Sequence, residues 1–142
     1  MRKVLSLVLV AVFCFACVSC GSSQASWNES EEKIYGEFLG LQNQVQAKMD
    51  DLTSNEPETY QDAKKIAAFV WEWKNYENSC ISDVYKNWRT SAGEAVETKA
   101  MLHFYKENDP NYVNVKSERD FAEQVWIYDT KQVLETVEKL KK

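Results

Sequence analysis

The sequence predicts an all-α fold, in which about four helices pack as a small bundle after an N-terminal signal peptide. Apolar residues recur at intervals of three and four along most of the chain, which is the spacing of one face of an α-helix. Only four Gly and two Pro occur among 142 residues, too few for the turns of an all-β sandwich or barrel. The length, with 44% hydrophobic residues, suits one domain.

The first helix is predicted from its start and its apolar stripe. Ser26 and Glu29 fit a capping box, in which the two side chains bond free N–H groups of the first turn. Residues 53–57, which include Pro57, are expected to end this helix and begin the next. The stripe consists of Ile34, Phe38, Leu41, Val45, Met49 and Leu52.

A long second helix is predicted to end at residues 90–93, because no Gly or Pro interrupts the chain between Ile66 and Gly93. A third, shorter helix is expected from about Glu94 to Lys106. The stripe of the second helix consists of Ile66, Val70, Trp73, Tyr76, Cys80, Val84 and Trp88.

The last helix is predicted to follow a turn at residues 108–111, because Pro110 forces Asp109 away from helical backbone angles. The brief alternation of residues 112–115 favours an extended segment, too short to found a sheet. Ser117 is predicted to cap the helix. Its apolar residues are Ala122, Val125, Trp126, Val133, Val137 and Leu140.

The first twenty residues have the features of a signal peptide. Arg2 and Lys3 form a positive segment, and the uncharged apolar run of residues 4–16 is shorter than the roughly 20 residues of a membrane-spanning helix. Because small and polar residues surround the Cys that follows, the segment resembles that of bacterial lipoproteins, whose signal is cleaved before a lipidated Cys. Cys20 is the predicted lipidation site, and Cys17 is the alternative. Neither has the usual Leu three residues upstream.

This resemblance divides the chain into three parts. Residues 1–19 are the signal peptide that is removed, residues 20–26 are the lipidated Cys and its tether, and residues 27–142 are the helical domain. It implies an extracytoplasmic protein held to a bacterial membrane by lipid, at the periplasmic or surface face. The mature chain would carry 15 basic and 22 acidic residues, a net charge of −7. That charge argues against a nucleic-acid partner and suits a cationic protein.

Neither enzyme activity nor a metal or cofactor is predicted. The signal peptide contains a Cys-x-x-Cys-x-x-Cys run, but only Cys80 remains downstream of it, so four thiolates cannot converge. His103 is the only His; a Cys80–His103 nucleophile pair is compatible with the spacing, but no Gly-rich loop offers an oxyanion site. Acid pairs such as Asp50-Asp51 are explained by solvation at a helix end. We expect Cys80 to be a buried apolar thiol.

Two groups of residues are predicted to contact a protein partner. Residues two apart on a helix point about 200° apart, so Trp71 and Trp73 cannot both face one core. Trp71 is therefore either covered by a second helix or an exposed aromatic of the kind found at binding sites, with Tyr76 beside it. Ile127 and Leu134 lie beyond the main stripe of the last helix, which is typical of an additional contact face.

The segment around the second helix is also similar to the lysozyme-inhibitor lipoproteins of the LprI type. That family has a Trp-x-x-aromatic-Arg-Asp-Ala segment with a nearby Cys, after a helix with regularly spaced Leu and Tyr. Glu77 and Asn78 stand where the family has Arg and Asp. The similarity covers roughly residues 30–82 and is carried by Ile34, Phe38, Leu41, Trp73, Tyr76, Asn78 and Cys80.

The resemblance implies a helical extracytoplasmic domain that binds a cell-wall hydrolase. The predicted function is therefore a membrane-anchored protein-binding module that inhibits a lysozyme-type, cationic cell-wall hydrolase through Trp71 and Tyr76. The alternative is a structural or assembly lipoprotein of an envelope complex, which docks through Ile127 and Leu134.

Overall fold

The computed structural model describes residues 26–51 and 60–142, and this part of the chain contains five helices and no strand. The helices are α1 (Glu29–Asp51), α2 (Tyr60–Ile66), α3 (Ala68–Trp71), α4 (Ser82–Phe104) and α5 (Tyr112–Leu140). The prediction of an all-α fold is confirmed. The predicted signal peptide and Cys20 lie outside the described residues. Among the helices described, none combines the length and apolarity needed to cross a membrane.

α1 and α4 run parallel to each other. Near the start of α1, the Glu31 carboxylate accepts a hydrogen bond from Ser79, which lies just before α4. Near the other end of both helices, the Lys99 ammonium of α4 donates to the Met49 carbonyl of α1. Contacts at both ends therefore fix the same direction for the two helices.

α5 and the α2–α3 segment run in the opposite direction. Lys141, just after α5, pairs with Glu32 in the first turn of α1 at 2.9 Å. The ring of Trp71, at the end of α3, lies against Gly93 in the middle of α4, and the loop then continues towards the start of α4. The result is an up-down-up-down bundle in which α2 and α3 together form the second member.

The core is centred on α4, because α1, α2, α3 and α5 all pack against it. Small side chains of α4 are buried at these contacts, which allows close approach of its neighbours. Trp88 fills the centre, with its ring centroid 4.9 Å from that of Phe38 on α1. The buried α4 residues are Tyr85, Trp88, Ser91, Ala92, Gly93, Ala95, Val96 and Ala100.

One amide oxygen joins the three long helices. Gln42 of α1 accepts hydrogen bonds through Oε1 from the Trp88 Nε1 of α4 at 2.9 Å and from the Trp126 Nε1 of α5 at 3.2 Å. The hydroxyl of Thr130 lies 3.4 Å from the same oxygen. The Trp88 N–H also lies 3.1 Å from the Thr130 hydroxyl oxygen. Because a buried indole N–H without an acceptor is costly, Gln42 and Thr130 together make the two tryptophans compatible with the core.

The observed start of α1, at Glu29, is close to the predicted start, whereas its predicted end at residues 53–57 lies outside the described residues. Its buried residues Phe38, Leu41, Val45 and Met49 belong to the predicted stripe. The predicted cap is wrong, however. Asn28 rather than Ser26 caps the helix, since its Oδ1 accepts hydrogen bonds from the N–H groups of residues 30 and 31.

The predicted second and third helices are wrong. Helix ends at Trp71, the chain is non-helical through residues 72–81, and α4 continues without a break through Gly93. Gly93 is buried inside the helix, and a Cβ there would lie 2.5 Å from Cζ2 of Trp71. This Gly permits close packing and does not break the helix.

The predicted start of the last helix is also wrong. Residues 112–115 are helical and not extended, so α5 begins at Tyr112 and not after Ser117. The predicted turn at residues 108–111 is present, with the Asp109 carboxylate accepting a hydrogen bond from the Asn111 N–H at 2.8 Å. Pro110 thus precedes the N-cap residue Asn111, where its missing N–H costs the helix no hydrogen bond.

The Trp71–Gly93 contact makes opposite predictions for two Gly→Ala substitutions. Ala is usually favoured over Gly inside a helix by about 0.5–1 kcal/mol. Gly40→Ala, whose Cβ would have nothing within 4 Å, should therefore raise the free energy of unfolding by up to about 1 kcal/mol. Gly93→Ala must displace the Trp71 ring and should lower it by about 1 kcal/mol or more. Urea unfolding measures both.

The Trp71→Ala background supplies the control for this comparison. Once the ring is absent, Gly93→Ala should become neutral or stabilising, because the three heavy atoms nearest to its Cβ all belong to that ring. Stabilisation by Gly93→Ala in the otherwise unchanged protein would contradict the contact.

Candidate functional site

Trp71 is neither fully covered nor fully exposed. Its ring rests on α4 at Gly93, and 38% of the residue remains exposed to solvent. The sequence left both outcomes open, and the structure combines them. A Trp ring held by one face against a helix keeps a fixed surface that a partner could contact.

Tyr76 holds the loop of residues 72–81 to α1. It is only 9% exposed, and its hydroxyl donates to Glu37 Oε2 at 2.6 Å while accepting from Trp73 Nε1 at 3.3 Å. Burial and the hydrogen bond to the Glu37 carboxylate raise the pKa of Tyr76 to about 12. A partner could therefore reach little of this side chain, which the sequence placed beside Trp71 as a contact residue.

The carboxylate of Glu31 connects α1 to the start of α4. Its Oε2 accepts from the Ser79 hydroxyl at 2.6 Å and its Oε1 from the Cys80 N–H at 3.3 Å, and the residue is 5% exposed. Burial raises the pKa of Glu31, but the hydrogen bonds from Ser79 and Cys80 outweigh it, so the pKa lies below its usual value. The negative charge also lies near the positive end of the α4 dipole.

Cys80 and His103 do not form a catalytic pair. They lie at opposite ends of α4, roughly 30 Å apart along a helix that rises 1.5 Å per residue. Burial and the neighbouring Glu31 carboxylate raise the pKa of the Cys80 thiol to about 11, so it is protonated at neutral pH. Cys80 packs against the core, as expected of an apolar thiol, but it is only half-buried and lies beside the Glu31 carboxylate.

The outer side of α5 carries a set of exposed apolar side chains. Ile127 and Leu134, predicted from the sequence, are 59% and 36% exposed. Val113, Phe121 and Tyr128 were not predicted and are 72%, 70% and 61% exposed. We call the set Val113, Phe121, Ile127, Tyr128 and Leu134 the outer apolar face.

The outer apolar face arises because α5 uses only one side for the core. Its buried residues are spaced for a single stripe and face α4 and α1: Val115, Ala122, Trp126, Val133 and Val137. The exposed residues fall on the remaining circumference of this 29-residue helix. Phe121 and Tyr128 are seven residues apart and lie outside the stripe, a signal that was available in the sequence.

The Glu31 bonds make stability depend on pH. Because the pKa of Glu31 is lower in the folded protein, its contribution is present above the unfolded value of 4.5 and is lost as pH falls through the folded value. At pH 7, Glu31→Gln should lower the free energy of unfolding by about 1–3 kcal/mol. The difference from the unchanged protein should shrink between pH 5 and pH 3 in urea unfolding.

Glu29→Gln is the matched control for Glu31→Gln. It removes the same charge from the same first turn of α1, but Glu29 is exposed and holds no loop residue. An equal loss of stability in the two variants would mean that the helix dipole, and not the bonds to residues 79 and 80, accounts for the effect.

Within residues 26–51 and 60–142, no three or more His, Cys, Asp or Glu side chains are grouped so that they could hold a metal ion. Neither a protein-family model, nor a curated protein sequence, nor a solved structure matches the chain at a significant level.

Proposed function

We propose that the protein is a non-catalytic, lipid-anchored module of the bacterial cell envelope that docks a protein partner through the outer apolar face of α5. The observation that carries this proposal is the concentration of exposed apolar side chains on one helix. Of the eight large hydrophobic residues that are exposed in the described part of the chain, five lie on α5. Exposed aromatic residues such as Phe121 and Tyr128 are enriched at binding sites.

The position of Trp27 supports an orientation relative to the membrane. The Lys141 ammonium lies 4.9 Å from the ring centroids of both Trp27 and Tyr35, so the end of α5 and the start of the helical domain share one end of the bundle. Trp27 is seven residues beyond Cys20, and seven extended residues span at most about 25 Å. With Cys20 lipidated, this end of the bundle would face the membrane.

The orientation predicts where a partner would bind. At 1.5 Å per residue, Leu134 lies about 10 Å and Val113 about 40 Å along α5 from Lys141. The outer apolar face would therefore run away from the membrane surface and not along it. This geometry suits another envelope protein that extends from the same membrane or lies just beyond it.

Trp71 supports a second candidate function, inhibition of a lysozyme-type cell-wall hydrolase. It is 38% exposed and belongs to a different helix from the outer apolar face. The net charge of −7 predicted for the mature chain complements a cationic enzyme. The resemblance of residues 30–82 to lysozyme-inhibitor lipoproteins points to the same part of the chain.

Photo-crosslinking in cells tests the docking proposal. A photoreactive amino acid at position 121 or 128 of the full-length lipoprotein should give a discrete protein adduct, whereas position 39, on α1 and 37% exposed in the unsubstituted chain, should not. Ile127→Asp should reduce the adduct by about tenfold or more, because a charge would be placed in the apolar contact. Equal adducts from all three positions, or no effect of Ile127→Asp, would contradict the proposal.

A lysozyme assay on cell-wall substrate separates the second candidate from the first. If the protein is a lysozyme inhibitor, the purified protein should inhibit the enzyme in a dose-dependent and salt-sensitive manner. Trp71→Ala should weaken this inhibition by about tenfold or more. Ile127→Asp is the matched control and should leave inhibition unchanged. Absence of inhibition at high molar excess would exclude this candidate for the lysozyme used.

A further inference from the structure

We infer that a pocket beside the start of α4 binds a small zwitterion, a molecule that carries an ammonium and an anionic group a few ångströms apart. The pocket has a volume of about 260 Å³, which is below the range of pockets for drug-sized ligands. Loop residues Asn75 and Glu77 and the first two turns of α4 line it. It is separate from the outer apolar face of α5 and does not depend on the function proposed for that face.

The charges of the pocket are of both signs and are unpaired. Glu77 and Asp83 line it together with Lys86 and Arg89. No ion pair within the described part of the chain involves any of these four residues. Opposite charges that surround a pocket without neutralising each other are complementary to a ligand that carries both charges.

Arg89 supplies a fixed anion-binding group. Its Nη1 donates to the Trp73 carbonyl at 2.6 Å, which holds the guanidinium in place. A guanidinium has five N–H donors, and those not used for the loop remain for a carboxylate or phosphate. Lys86, three residues earlier on the same side of α4, adds a second positive charge.

The wall of the pocket is rigid. Tyr76 and Tyr85 are buried and contact each other with ring centroids 4.7 Å apart. Their hydroxyls are engaged elsewhere, that of Tyr76 by Glu37 and that of Tyr85 by the Lys74 carbonyl at 3.1 Å. The rings therefore shape the pocket, and the polar contacts to a ligand come from the residues around them.

The pocket thus has two groups for an anion, Arg89 and Lys86, and two for an ammonium, Asp83 and Glu77. Ser82 also lines it and offers a hydroxyl. An amino acid or dipeptide carries this pair of charges, and so does the phosphoethanolamine headgroup of a membrane lipid. The pocket would recognise the ammonium and the anionic group in either case, and experiment distinguishes a peptide ligand from a lipid headgroup.

Calorimetric titration of the full-length protein in nonionic detergent tests the inference. Dialanine is the first probe, with N-acetyl-dialanine and dialanine amide as forms that lack one charge, and glycerophosphoethanolamine as the lipid-derived zwitterion. At least one zwitterion should bind. If it is dialanine, each capped form should bind at least about tenfold more weakly than dialanine. Tighter binding of glycerophosphoethanolamine would assign the lipid headgroup as the source.

Two exposed pocket residues provide variants that are expected to fold. Lys86→Met and Asp83→Asn should each weaken binding by about tenfold or more. Lys116→Met is the matched control, because Lys116 is exposed on α5 outside the pocket and forms no ion pair with the described residues, so this substitution should leave binding unchanged. Thermal unfolding by circular dichroism should confirm that all three variants are folded.

Three results would overturn the inference. The first is that neither zwitterion binds at tens of millimolar, and the second is that capped dialanine binds as well as the free form. The third is that Lys86→Met and Lys116→Met have the same effect on binding. None of these results bears on crosslinking from α5, so failure of this inference is distinguishable from failure of the docking proposal.

Discussion

The packing of every other described helix against α4 is the constraint on which the fold depends. A helix surrounded by neighbours cannot carry large side chains on all sides, and α4 buries Ser91, Ala92 and Gly93 in succession. Close approach at these positions places the Trp71 ring on Gly93. The larger Trp88 is accommodated where the Gln42 amide oxygen from α1 satisfies its indole N–H. Small residues on α4, with the acceptors that Gln42 and Thr130 offer to the buried tryptophans, allow the helices to pack around one continuous core.

The loop between α3 and α4 depends on the same arrangement. Residues 72–81 contain no Gly or Pro, and their apolar spacing is compatible with helix. These residues are not helical, because hydrogen bonds from α1 and α4 replace the backbone hydrogen bonds that further helical turns would have formed. Glu31 and Glu37 bind the loop from α1, and Arg89 binds the Trp73 carbonyl from α4. These partners are between 16 and 48 residues away in sequence.

This difference explains what could be predicted from the sequence. The stripe of α1 is a local pattern, and Phe38, Leu41 and Val45 are fully buried as expected. The same spacing predicted one helix through residues 66–88, because periodicity cannot detect a loop that is stabilised by distant carboxylates. Gly93 was interpreted as a helix break for a related reason. Its role becomes visible only when Trp71 is known to lie beside it.

The candidate surfaces could likewise be predicted where helical spacing alone places a residue, and not where contacts between distant parts of the sequence do. Ile127 and Leu134 could be predicted as surface residues because helical spacing alone separates them from the buried stripe of α5. Tyr76 was expected beside Trp71 on one helix, but the loop turns it into the core, where its hydroxyl meets Glu37. The zwitterion pocket could not be predicted, since Glu77 comes from the loop and Lys86 from α4.

The loop also connects the proposed anchor to the proposed pocket. α1 begins nine residues after Cys20, and its first three turns carry Glu31 and Glu37. Both carboxylates hold loop residues that precede or line the pocket, and both have a lowered pKa. Protonating them would release the loop from α1, and the alignment of Glu77 with Lys86 and Arg89 depends on that loop. Recognition of a zwitterion should therefore weaken in acid, as the pH falls through the lowered pKa values of these two carboxyls.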